Sequence, residues 1–431
     1  MNERKGLFHI KGWSAVDSLA FISFALGIFL GAYIFGMASI ATTWVTIPVF
    51  LRSLLLAWAP LWEIIGIGIA GPLSDKIGRK HVFYITMALY GIGAVGIAFS
   101  YSYYLVLFFL AILLLGGGGE MNTILAFSQE IMPTKHRSTA MLLELNFIPL
   151  GGLVLAGIAF STAYYSIVFE REMVGITIIL VVIVLIVTRR YLPESFLWLA
   201  SKGKEKQAKE DAIKYYGEAG YIERTENAKD LKEAETITSN SHIGLKLFAT
   251  ITTAFAGTTG FGLIAYVLGP TFFPSLTAII LLVSDAAAFV VGFIGFFGEK
   301  IGRRQMLLWG YIFSLIFTVI IYVTLGTWTK YLILFWFFVI ALNAFIQLGY
   351  MAEDTLKSEV WSTKTRGSVT ALVRFLGIGL YIPTIYLTAS YTLSQYILFN
   401  IIVWIIGSAG AVAWFIFGKE TGKGTPIEMA D

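Results

Sequence analysis

Apolar residues run in blocks of roughly twenty, separated by short polar stretches, from about Ala20 to about Phe417. A helix needs about 20 residues to cross the hydrocarbon of a bilayer, and in lipid every backbone amide has to bond within its own segment. Such blocks are therefore transmembrane helices. The pattern predicts them at about 18–41, 53–72, 82–99, 103–130, 141–163 and 173–189, then at about 243–268, 277–298, 305–325, 330–352, 367–389 and 395–418. Between the two sets, from about Arg190 to His242, Lys and Glu alternate in rough balance, which reads as a solvated, partly helical linker. The expected architecture is an all-α membrane protein: a six-helix bundle over 1–189, a linker over 190–242 and a second six-helix bundle over 243–431.

Composition agrees, with 57% hydrophobic and 13% charged residues against the roughly 25% charged that soluble domains carry. Of the 31 Lys and Arg, only Arg52, Arg171 and Lys330 fall in loops on one face, with Arg374 inside the membrane. By the positive-inside bias both termini are expected in the cytoplasm, and a prokaryotic plasma membrane is the expected location. Met1 to Lys11 is short and basic, and a full-length apolar span without a small-residue cleavage site follows, so it reads as the approach to the first helix rather than a signal peptide. The net charge of +4, spread over membrane loops, gives no reason to expect a nucleic acid partner. Without cysteine there is no thiol nucleophile, disulfide or cysteine metal site. The four histidines, His9, His81, His136 and His242, lie at or beyond span ends, and no metal spacing, catalytic cluster or Gly-rich phosphate loop is present. No cofactor, enzyme activity or ATP-driven pumping is expected, and energy has to come from ion gradients.

The chain repeats itself. Gly71-Pro72-Leu73-Ser74-Asp75-Lys76-Ile77-Gly78-Arg79-Lys80 returns in constant register as Gly295-Phe296-Phe297-Gly298-Glu299-Lys300-Ile301-Gly302-Arg303-Arg304, each copy in the loop after the second span of its half. A second echo links Glu130 to Arg137 with Glu359 to Arg366, each after a fourth span. Parallel repeats of this kind are one architecture of secondary transporters, with the solute site between the halves near the midplane. The decapeptide, its copy and the span count together resemble the major facilitator superfamily. Pro193-Glu194-Ser195-Phe196-Leu197-Trp198-Leu199 and Glu420-Thr421-Gly422-Lys423-Gly424 are similar to elements of its sugar porter and organic-ion branches, and Gly116-Gly117-Gly118-Gly119-Glu120 to an element of its phosphate, metabolite:proton and organic-ion branches. The resemblance implies that charges at the loops gate alternating access: Asp75, Arg79, Glu130 and Arg137 in the first half, Glu299, Arg303, Glu359 and Arg366 in the second. A purely topological and helix-capping role is the alternative. It also implies that spans three, six, nine and twelve, read here as charge-free, face lipid.

Ionised groups are costly inside a bilayer, so Glu63, Glu120, Glu144, Asp285 and Arg374 call for an explanation. At about 1.5 Å per residue, Glu120 stands roughly 15 Å above Glu130 and Arg374 roughly 12 Å above Arg366. One acid and one base from opposite halves thus approach one level. A carboxyl in low dielectric favours its neutral form, so Glu120 is the expected site of proton coupling, with Glu144 and Glu63 as further candidates. Arg374 would attract an anionic solute or pair with Glu120. Asp285, about 21 Å from the cytoplasmic end, reads as a water-facing group without a coupling role. Asn343, Gln347 and Tyr350 share one face of span ten, and with Tyr33, Asn122 and Asn146 they are candidate solute contacts, interhelical hydrogen bonding being the alternative.

The expected function is proton-coupled transport of a small polar metabolite by a monomer, with the bilayer, protons and the solute as its partners. An organic anion is favoured by the planar fork of Arg374. Sugar porters usually show paired glutamines on span seven, where this chain reads Thr252-Thr253-Ala254-Phe255-Ala256-Gly257-Thr258-Thr259, and an arginine on span four, where it has Glu120. A sugar carrier is the runner-up, and a transporter-derived membrane sensor is the reading from another class.

Overall fold

In the computed structural model, which describes residues 13–45, 47–133, 136–162, 165–218, 242–298, 300–361 and 363–421, twelve apolar helices are long enough to span a membrane. Spans 1 to 6 run Ala15–Thr43, Phe50–Ile77, Arg79–Ala98, Tyr103–Ile131, Arg137–Thr162 and Ile167–Arg190. Spans 7 to 12 run Ile243–Phe272, Pro274–Phe297, Arg303–Val323, Leu332–Lys357, Val369–Thr388 and Leu393–Phe417. Two of these differ from the expectation. Span 2 continues through the decapeptide to Ile77, leaving only Gly78 between it and span 3, and span 10 stays helical to Glu359 rather than ending near residue 352. A charge at the end of an apolar block does not end a helix when its partner lies on the next turn.

Spans 1 to 6 pack against one another, as do spans 7 to 12, and the two sets meet along two seams, span 5 on span 8 and span 2 on span 11. Ile64 and Ile67 of span 2 close on Ile378 of span 11. Large apolar side chains exposed on spans 3, 6, 9 and 12, such as Ile92, Leu180, Ile316 and Ile405, form the outer surface that lipid would cover. Beyond span 6 a short helix over Phe196–Ser201 and a second over 205–218 follow, and residues 219–241 lie outside the described part of the chain.

The glycine run packs spans 2 and 4 backbone to backbone. A Cβ on Gly118 would overlap the carbonyl of Glu63, and one on Gly66 would overlap the carbonyl of Leu115. Span 7 is irregular: a π turn over Leu263–Val267 frees carbonyl groups. They are met by side chains, with Tyr396 donating to the Leu263 carbonyl at 2.6 Å and Ser39 of the other half donating to that of Tyr266 at 2.9 Å. Such turns recur at functional sites, and this one holds the buried Tyr266.

The repeated loops are helix-capping devices. Glu194 accepts from the backbone N–H groups of Arg79 (3.1 Å) and Lys80 (3.2 Å), capping span 3, and Glu420 accepts from that of Arg303 (2.6 Å), capping span 9. Lys80 donates to the Arg190 and Leu192 carbonyls at the end of span 6, and Arg304 donates to the Phe415 carbonyl at the end of span 12. Trp198 donates to the Asp75 carbonyl at 2.9 Å. Gly78, at φ +99°, lies against the Glu194 carboxylate and the Trp198 ring, so it needs both the left-handed backbone and the missing side chain. Glu194→Ala is expected to lower stability by about 1–2 kcal/mol, the range for a partly buried carboxylate at a helix N-terminus, measured as the thermal midpoint in detergent.

Candidate functional site

Between the bundles lies a cavity of about 110 Å³, room for several waters or one small solute. Both halves contribute polar groups to its wall: Glu63 of span 2 from the first, and Tyr266, Asp285, Gln347, Tyr350, Lys357, Arg374 and Tyr381 from the second. Phe35, Phe261 and Ile346 supply apolar wall.

The cations of this cavity are already engaged. Arg374 Nη2 donates to both oxygens of Asp354, at 2.7 and 2.9 Å. Lys357 Nζ lies 2.6 Å from Asp354 and 2.9 Å from Glu353. Glu353 and Asp354 stand one turn before Lys357 on span 10, which puts the three on one helix face beside span 11. All four groups are buried, two acids against two bases, so the cluster carries no net charge when ionised. Burying an ion costs several kcal/mol and is offset only by close partners of this kind. Glu63, on the opposite wall, is partly accessible and has no ion-pair partner within 4 Å among the described residues.

Glu120 and Arg374, expected to approach each other, do not meet. Glu120 is fully buried within the first bundle, where Arg189 of span 6 donates to it through Nη1 (3.1 Å) and Nη2 (2.5 Å) and Thr86 donates at 2.7 Å. Arg189 also donates to Ser23 Oγ at 3.3 Å and lies 4.0 Å from the centre of the Phe83 ring. Span 6 is therefore not charge-free, and Glu120 is not among the residues lining the cavity. Glu144 is buried with neither oxygen hydrogen-bonded, near the hydroxyl of Ser128, and also stands away from the cavity wall.

Of the candidate solute contacts, Gln347 lines the cavity with its Nε2 free of any hydrogen bond, and Tyr350 lines it too. Tyr33 instead donates to the Val174 carbonyl of span 6 at 3.3 Å. Asn122 faces Gly71 of span 2. Asn146 sits at a break in span 5 against Gly292 of span 8. Asn343 ties span 10 to span 8 through Ser284 Oγ at 3.2 Å. At the loops, Arg79 bridges Asp75 (2.7 Å) and Glu130 (3.1 Å), and Arg137 donates to the Met132 carbonyl. Arg303 lies 3.7 Å from Glu359 and also donates to Ser138 of the other half. Glu299 and the side chain of Arg366 lie outside the described residues. On the opposite face Arg52 donates to the Pro270 carbonyl at 3.0 Å, again across the halves.

Arg189, Glu353, Asp354 and Lys357 were missed because span ends were placed at the first charges met. The spacing of Glu353 and Asp354 to Lys357, one helical turn, is the signal that marks them as paired and intrahelical.

Comparison with known proteins accords with this geometry. The family model described as "Sugar (and other) transporter" matches residues 41–430. The chain belongs to that family. Among its relatives, the glucose transporter GlcP of Staphylococcus epidermidis is 25% identical over 392 residues, covering 84% of this chain and 82% of that protein. The probable metabolite transport protein CsbC of Bacillus subtilis is 31% identical over 185 residues, 42% of this chain and 38% of that one. The structure of the proton:xylose symporter XylE bound to 6-bromo-6-deoxy-D-glucose superposes with a TM-score of 0.75 at 18% identity, covering 96% of this chain and 98% of that chain, which shows the major facilitator fold. As a member of the Sugar (and other) transporter family the protein is a multi-pass membrane transporter of a small-molecule solute, not an enzyme.

Proposed function

We propose that the protein carries a neutral, polyhydroxylated solute of the sugar and polyol class by proton-coupled alternating access, with Glu63 as the coupling carboxyl. The observation that carries this reading is the pairing of Arg374 with Asp354, whose two carboxylate oxygens both accept from Nη2. A guanidinium whose charge is already matched by Asp354 draws a carboxylate or phosphate less strongly, so the organic-anion reading loses most of the support that Arg374 gave it. What remains free in the wall suits hydroxyl groups: the Gln347 amide as donor, the Tyr266, Tyr350 and Tyr381 rings with their phenols, and the two carboxyls Glu63 and Asp285 as acceptors. The relative named as a glucose transporter and the structural neighbour named as a proton:xylose symporter support the same class.

Glu63 is preferred over Glu120 and Glu144 for a geometric reason. A coupling group has to meet the solute pathway, and only Glu63 of the three lines the cavity. It projects from span 2 toward span 11, the seam that carries Arg374, so its charge state bears on how the halves fit. The excess of Lys and Arg on the face bearing Gly71 to Lys80 supports a cytoplasmic placement of that face and of both termini, and the Staphylococcus epidermidis relative supports a prokaryotic plasma membrane. All the residues that line the cavity come from one chain, which supports a monomer as the working unit.

In proteoliposomes, labelled hexoses, pentoses or polyols are expected to accumulate when a pH gradient, acid outside, is imposed. Glu63→Gln should abolish gradient-driven accumulation while keeping at least half of the wild-type counterflow. Accumulation of carboxylates in place of sugars would overturn the solute class. Undiminished accumulation by Glu63→Gln would overturn the coupling assignment.

A further inference from the structure

Asp285 on span 8 is the second unmatched acid of the cavity, and the coupling scheme above gives it no proton to carry. It is 1% exposed, its Oδ2 makes no hydrogen bond, and no Lys or Arg lies within ion-pair distance of it among the described residues. Its carboxyl crosses the seam between the bundles and lies in the notch left by Gly152 of span 5, where a Cβ would overlap it. From the elements packed on span 8, the facing groups are few. Span 5 offers Gly152 and no ionisable side chain over Phe147–Thr162. Span 7 offers the phenol of Tyr266, span 10 offers Gln347 and Asn343, the latter bonded to Ser284, and Glu63 stands across the cavity. The two cations of the wall, Lys357 and Arg374, are matched by Glu353 and Asp354. Two acids, Glu63 and Asp285, are left over.

A carboxylate stays ionised only where water, a donor or a cation reaches it. In the closed seam between spans 5 and 8 no protein donor bonds Oδ2 and no Lys or Arg reaches it among the described residues, so closing the seam favours the carboxyl that has taken up a proton. We propose that Asp285 is a second proton-binding carboxyl, so that the carrier moves two protons with each solute. The proton comes from water on the open side, forms the O–H bond on the Asp285 carboxyl, and returns to water on the other side when the seam reopens. No other bond changes. This inference rests on the proton-coupled sugar reading.

The test is the thermodynamic stoichiometry of reconstituted full-length carrier with labelled glucose and labelled xylose as probes. The logarithm of the zero-flux accumulation ratio is read against the imposed proton-motive force. A slope of two in the wild type, falling to one in Asp285→Asn, supports the proposal. A wild-type slope of one overturns it and leaves coupling through Glu63 intact. A slope of two unaltered by Asp285→Asn overturns the assignment to this residue. Failure of the wild type to accumulate either probe overturns the underlying reading as well. Should Asp285→Asn give no folded carrier, the wild-type slope decides by itself, two for and one against.

Discussion

Arg189→Met is expected to destabilise the protein by about 3–5 kcal/mol, the range for removing one member of a buried ion pair, and to leave little folded carrier in detergent. Neither Glu120 nor Arg189 is accessible, and the carboxylate left behind would keep only the Thr86 hydroxyl. The physical content lies in the contrast with the double variant. Glu120→Gln combined with Arg189→Met removes both charges at nearly constant volume, and a neutral pair of similar shape often restores or exceeds the original stability. Thermal midpoints of the wild type, the single variant and the double variant measure this directly. A wild-type midpoint for Arg189→Met would show that the pair contributes nothing. Since the pair stands outside the cavity, the refolded double variant should also transport, a result that separates Glu120 from coupling.

Gly118→Val should have the second largest effect. Its side chain would occupy the space of the Glu63 carbonyl, so span 2 has to move away from span 4 along most of its length. Overpacking of this kind costs about 1–3 kcal/mol, occasionally more. Because the displaced residue is Glu63 itself, uptake should fall even in the fraction that folds. Gly91→Ala is the control, since nothing lies within 4 Å of a Cβ at that position. Equal midpoints and equal uptake for the two variants would contradict the backbone contact between spans 2 and 4.

The span count follows from arithmetic on apolar block length, and the lipid-facing set was read through the family resemblance. The paired decapeptides likewise announce two like halves, and the structure shows their physical use: Glu194 and Glu420 cap the third helix of each half, and Lys80 and Arg304 cap the sixth. The intramembrane position of Arg374 was also read from the sequence, because rise per residue is constant. Its companions Asp354 and Lys357 were hidden by a boundary rule that stops a span at its first charge, a rule that fails when the charges neutralise one another inside the helix.

What the linear pattern determined, then, is how deep each group lies, and what tertiary structure decided is which way it points. Side chains leave a helix at about 100° intervals, and a span that is apolar on all sides carries no amphipathic signal to fix its rotation about its own axis. Glu120 and Arg374 stand at similar depths, yet span 4 turns its acid inward to Arg189 while span 11 turns its base to Asp354 at the cavity. That rotation is set by close packing, by Gly118 of span 4 against span 2 and Gly377 of span 11 against Ala254 of span 7, and packing exists only between helices.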